Sequence, residues 1–203
     1  MTRGRHVLSA GLWALMLGAN AQQDVSSVKI TDKPASGMVR GMAFFMTETE
    51  LRISSSNSIQ FSNRPEDRTR TFELKLEDRR RKDFVQSVAV RIIVDDKTKL
   101  DGRTFKWKPA KSGSPEDFAQ RYPGGTSVGK LRRGVDRVVL YWLPHGHGTY
   151  ESEEFRESYS VQVQFGKRKA GFLPGKIAVS CPDATKSYVV GSFRAELIGS
   201  ARD

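Results

Sequence analysis

Residues 122–134 read YPGGTSVGKLRRG, and two chemical patterns overlap there. Gly124–Lys130 has the spacing G-x-x-x-x-G-K, which in a phosphate loop aims backbone N–H groups and a lysine at phosphate oxygens. Gly125–Gly129 has the spacing G-x-S-x-G, which sets Ser127 on a nucleophile elbow, with Asp136 and His145 following in the order of a hydrolase triad. Both chemistries need a buried strand before the glycines and a helix after them. The residues before Gly124 instead read as a short polar helix, and Gly134 interrupts any helix after Lys130. Leu131 also stands where a Ser or Thr hydroxyl would hold Mg²⁺. The stretch is therefore read as a glycine-rich turn, made basic by Lys130, Arg132 and Arg133.

A second constellation is LPHGHGTYESEEF, at 143–155. His145 and His147 are two residues apart, so in an extended segment they share a face with Cα atoms roughly 6.5 Å apart. Two imidazoles so placed can reach one divalent metal, and Glu151, Glu153 and Glu154 follow closely enough to supply a carboxylate, Glu151 being taken as the third ligand although its spacing fits no strong signature. Catalytic zinc sites use three protein ligands and an open position, so a metal-dependent hydrolase is one alternative reading. The plainer reading is a turn following a buried strand, with no cofactor.

Cations and aromatic rings form the remaining candidates. Arg79, Arg80, Arg81 and Lys82 run together in EDRRRKD, and Lys167, Arg168 and Lys169 in GKRKAG. Read as turns between strands, these two runs and Arg132 and Arg133 would make an anion-binding surface if they gathered at one end of the fold. Trp107 in FKWKP and Trp142 in LYWLP are candidates for stacking on a sugar ring. No recognition helix or stacking platform suits nucleic acid, which is not expected as a partner.

The elements that would carry these residues repeat with period two. In TFELKLED, Phe72, Leu74 and Leu76 alternate with Glu73, Lys75 and Glu77. In SYSVQVQFG, Tyr159, Val161, Val163 and Phe165 alternate with serine and glutamine. Denser apolar runs at 87–94 and 136–144 suit central strands. Further strands are expected at 37–46, 50–54, 58–61, 103–108, 175–181 and 188–197. Turns are expected at Asp101-Gly102, Leu173-Pro174-Gly175 and Cys181-Pro182-Asp183. About ten strands with wet outer faces imply an all-β antiparallel β-sandwich, an open barrel being the close variant. One short helix is expected in the long 109–134 connection, where Ser114 is a suitable N-cap before Pro115, Glu116 and Asp117.

The chain has 203 residues and opens with Arg3 and Arg5, an apolar run at 7–18 and Ala19-Asn20-Ala21. This is the pattern of a cleaved signal peptide over 1–21. It leaves a flexible polar arm at 22–36 and one sandwich domain at 37–203, exported to the periplasm or beyond, with no later membrane-spanning segment expected. Without Arg3 and Arg5 there remain 32 cations against 23 acids, a net charge of +9. Cys181 is the single cysteine, so no internal disulfide can form, and its phase with Ile177 and Val179 makes it a small core residue.

The C-terminal stretch YSVQVQFGKRKAGFLPGKIAVSCPDATKSYVVGSFRAEL resembles the ending of exported bacterial β-sandwich proteins that have no assigned role. The resemblance rests on the Leu173–Ile177 start, the Pro182-Asp183 turn and the last strand with Gly191 inside it. It implies export and an all-β fold, and it carries over no catalytic residues. The sequence thus favours a non-enzymatic binding or envelope-associated module, its partner an anionic polysaccharide, an envelope component or a protein. A structural subunit that associates through sheet edges is the other alternative.

Overall fold

Alternating residues become strands only where a partner covers the apolar face, and here the covering element is the same sheet curled on itself. A computed structural model of the chain describes residues 24–56, 69–81, 84–110, 133–144 and 148–199. The strands are β1 (Ser36–Val39), β2 (Met42–Phe45), β3 (Glu48–Ser56), β4 (Thr69–Arg81), β5 (Phe84–Asp95) and β6 (Thr104–Trp107). They continue with β7 (Gly134–Trp142), β8 (Glu151–Phe155), β9 (Ser160–Phe165), β10 (Phe172–Ser180) and β11 (Tyr188–Ile198).

All eleven belong to one hydrogen-bonded sheet in the order β6-β9-β10-β11-β3-β4-β5-β7-β8, with β1 on β11 and β2 on β1. The fold is all-β, as the period-two pattern implies. It differs from a two-sheet sandwich in that the hydrogen-bonded order is unbroken from β6 to β8. The curl is visible in a contact across that order: the Tyr159 hydroxyl, next to β9, donates to the carbonyl of Val135 in β7 at 3.3 Å. Leu74, Val90 and Val138 from one half and Val163, Ile177 and Phe193 from the other therefore share one buried core. Pairing is antiparallel except between β11 and β3, where Glu196–Ile198 run parallel to Glu50–Arg52. The short helix anticipated near Ser114 and the strand anticipated at 58–61 lie outside the described residues, as do 1–21 and the glycine-rich 124–132.

Several boundaries depart from the sequence reading for local reasons. The expected strand at 37–46 is a hairpin, because Arg40 (φ 52) and Gly41 (φ 77) both take the left-handed conformation of a two-residue turn. Leu173-Pro174-Gly175 is not a turn but part of β10. The Pro174 carbonyl accepts from Gly166 N–H, on the side where the β9 ladder ends at Phe165, so the missing proline N–H breaks no rung. Arg79, Arg80 and Arg81 lie within β4 rather than in a turn after it. Glu151–Phe155, an acidic run not anticipated as a strand, forms the edge strand β8, where charge suits an unpaired edge.

Residues 24–35, anticipated as part of a loose arm, are tied down. Asp24 and the N–H of Val25 bond the Ser160 hydroxyl, and Ala35 N–H bonds the Ser192 carbonyl at 3.0 Å. Val25 and Ile30 are buried with Ala178 in a second small cluster on the outer face of the sheet, against which Val190 packs.

Candidate functional site

Strand direction fixes which loops share an end. β4 and β10 both finish, and β8 and β11 both begin, at one end; the β9–β10 turn and the start of β7 lie at the other. The basic residues are therefore divided between the two ends and do not form the single surface that the sequence allowed.

At the first end, the β1–β2 turn carries Arg40 into a polar cluster. Its guanidinium carbon lies 4.4 Å from the centre of the Trp142 ring, and Nη1 is 2.7 Å from Glu153 Oε2 and 3.7 Å from Asp183 Oδ2. Its backbone N–H donates to the Ser187 hydroxyl at 2.8 Å. The Asp183 side chain is fully buried and accepts from Ser187 N–H at 2.7 Å, Ser187 Oγ–H at 3.0 Å and the Thr185 hydroxyl. Cys181 is buried beside this loop, and burial, with the Asp183 and Glu153 carboxylates, pushes its thiol far up. It is a core residue, as its phase implies.

Trp142 is buried and Trp107 half-buried. Trp142 belongs to the core, with Arg40 over its ring. Trp107 tilts against Tyr159 at 5.9 Å and donates its indole N–H to the Glu157 carbonyl at 3.2 Å. Glu151 opens β8, exposed and opposite Trp142. His145 and His147 lie outside the described residues, and among the described residues no group of three or more His, Cys, Asp and Glu could hold a metal ion.

The cations near the end of β4 are engaged with acids. Arg79 pairs with Glu77 at 2.5 Å and with Glu48 at 3.1 Å, and Arg80 pairs with Asp78 at 2.7 Å. These groups also complete the free side of β2. Asp78 accepts from Phe45 N–H at 2.9 Å, and Arg80 donates to the Ala43 carbonyl at 3.2 Å, so two side chains of β4 replace a missing strand. Arg81 closes β4; Lys82 lies outside the described residues.

Burial acts to raise the carboxyls of Glu77 and Asp78, but their partners reverse it. Lys75 and Arg79 hold Glu77 below its ordinary 4.5, and Arg80 with the Phe45 and Arg80 N–H groups holds Asp78 below 3.8. Depressed folded values stabilise the fold above the unfolded pKa, and that contribution is lost as pH falls through the folded values. Thermal midpoints are therefore expected to fall steeply below about pH 4. In Asp78→Asn the fall should be shallower and the neutral-pH midpoint lower. An acid limb identical to that of the parent would exclude Asp78 as a contributor.

The opposite end presents its cations differently. Lys167, Arg168 and Lys169 are all exposed. Lys169 and Phe172 exchange both backbone hydrogen bonds, at 2.9 and 3.0 Å, across Ala170 (φ 48) and Gly171 (φ 79). Asp101 accepts Arg168 N–H at 2.8 Å and fixes this turn to the preceding loop. Exposed Arg103 stands nearby, its carbonyl accepting Phe165 N–H. Arg133, by contrast, is paired with Asp95, and Arg132 lies outside the described residues.

No family model, curated protein or solved structure matches this chain. Among the described residues, no helix is long and apolar enough to cross a membrane.

Proposed function

We propose that the chain is an exported, non-enzymatic binding module that holds an anionic polymer, an acidic polysaccharide being the class favoured, on the Lys167–Lys169 turn. The curled sheet then acts as a sandwich would: a rigid core whose loops meet the partner. The observation that carries this reading is the turn itself. Three adjacent exposed cations are held by a tight backbone ring and by Asp101, and among the described residues none of the three side chains is in an ion pair. Arg79 and Arg80, by contrast, already have carboxylate partners. The net charge of +9 that remains without Arg3 and Arg5 adds long-range attraction for such a polymer.

Retention on immobilised heparin tests it. The parent protein should elute above about 0.15 M salt, because several contacts must be screened together. The Lys167→Glu/Lys169→Glu variant should elute well below the parent, whereas Arg79→Glu should change retention little. Equal retention of the parent and the turn variant would refute the assignment.

A further inference from the structure

The end of the sheet opposite the basic turn carries a feature that polyanion binding leaves unused. Residues directly opposite one another on neighbouring strands face the same side. The register Ala43↔Met38↔Tyr188 crosses β2, β1 and β11 on one face, and Phe45, two residues after Ala43, shares it. Met38, Phe45 and Tyr188 are 37%, 48% and 42% exposed, although the core-facing residues beside them, Val39, Phe44 and Val189, are buried. The same sheet face is covered a short distance away. There Val25, Val28 and Ile30 of the 24–35 segment pack over Ala178 and Val190, and the covering stops short of this strip.

Cations rim the strip. The Arg80 guanidinium carbon lies 4.1 Å from the centre of the Phe45 ring while Arg80 Nη2 holds the Ala43 carbonyl. On the other flank Lys186 is exposed at the tip of the 181–187 loop, two residues before Tyr188. The buried Asp78 carboxylate holds Nε and Nη2 of Arg80, which leaves Arg80 Nη1 and the Lys186 ammonium as the donors of the rim with no carboxylate partner among the described residues.

We propose that this end docks on an anionic lipid surface, with Phe45, Met38 and Tyr188 entering the headgroup boundary and Arg80 and Lys186 against lipid phosphates. Charge complementarity selects the occupant, and size selects its class. A stable protein interface takes roughly 20–30 residues a side, far more than this strip offers. A bilayer interface needs only a few protruding aromatic and apolar side chains combined with cations. The site is distinct from the Lys167–Lys169 turn and does not depend on it.

Sedimentation of the purified chain with phosphatidylcholine vesicles, and with vesicles containing about one-third phosphatidylglycerol, tests the assignment. Binding is expected to the anionic vesicles, to weaken with salt, and to drop on the order of tenfold in Phe45→Ser/Tyr188→Ser. Lys167→Glu/Lys169→Glu should retain most of it, which separates this site from the polyanion turn. A second variant guards against a folding defect: Phe45→Trp should be quenched by brominated anionic lipid more than the parent's own tryptophans are. Equal binding to neutral vesicles, full binding by the double serine variant, or no added quenching in Phe45→Trp would overturn the proposal. So would failure to bind any vesicle, and retention on poly-glutamate beads that then required Phe45 and Tyr188 would assign the strip to an acidic polypeptide.

Discussion

Asp183→Ala is expected to destabilise the chain by about 3 kcal/mol in urea unfolding at neutral pH. The carboxylate is the centre of the 181–187 loop. It is wholly buried, and it takes the N–H and the hydroxyl of Ser187 and the hydroxyl of Thr185 while standing 3.7 Å from Arg40. Alanine leaves the Ser187 N–H, in a residue only 1% exposed, without its acceptor, and such an orphan costs more than an average hydrogen bond contributes. The damage should spread. Ser187 also receives Arg40 N–H, so the β1–β2 turn loses its anchor and Arg40 its place over Trp142. Asp183→Asn keeps an acceptor for the N–H and gives up the charge, and about half the loss is expected. A loss below about 1 kcal/mol for the alanine variant would contradict the central role assigned to this carboxylate.

Gly191→Ala should have an effect of similar size by a different route, about 3 kcal/mol from strain and overpacking together. Gly191 has φ 150, a conformation that side chains resist. A Cβ there would lie 2.5 Å from Ala35 Cα and 2.7 Å from both Ala35 N and the Lys33 carbonyl oxygen. All three are backbone atoms of the packed segment, so relief requires that segment to lift from β11. The readout is specific: hydrogen exchange at Ala35 and Ser192, whose amides bond Ser192 O and Lys33 O, should accelerate more than exchange in β4 and β5. Uniform acceleration across the sheet, or none, would place the strain elsewhere.

The two positions also mark how far the sequence was legible. Alternation in TFELKLED and SYSVQVQFG identified β4 and β9 because apolar side chains pointing to one side have a single solution in a half-wet sheet. The Asp183 turn was legible because aspartate after proline bonds its own downstream backbone. The Arg40-Gly41 turn was hidden, since arginine is an unusual first residue for a left-handed pair, and the chain there otherwise reads as one strand. β8 was hidden by Glu151, Glu153 and Glu154, which suit a sheet edge but not a strand propensity scale. Residues 24–35 looked loose because their polarity conceals Val25 and Ile30, whose burial depends on an outer sheet face that no local pattern announces. The two ends of the curl were illegible for the same reason. Which basic run lies beside which follows from strand order, and that order includes a parallel joint between β11 and β3.

That joint has a consequence for how the molecule is made. β11 is the latest strand in the sequence among those described, yet it stands between β10 and β3 and links the β6-β9-β10 half to the β3-β4-β5-β7-β8 half. A nascent polypeptide that lacks it has two raw flanks and a split interior. Until β11 is in place, the edges of β10 and β3 that it covers lie bare, and bare edges invite pairing with the wrong neighbour.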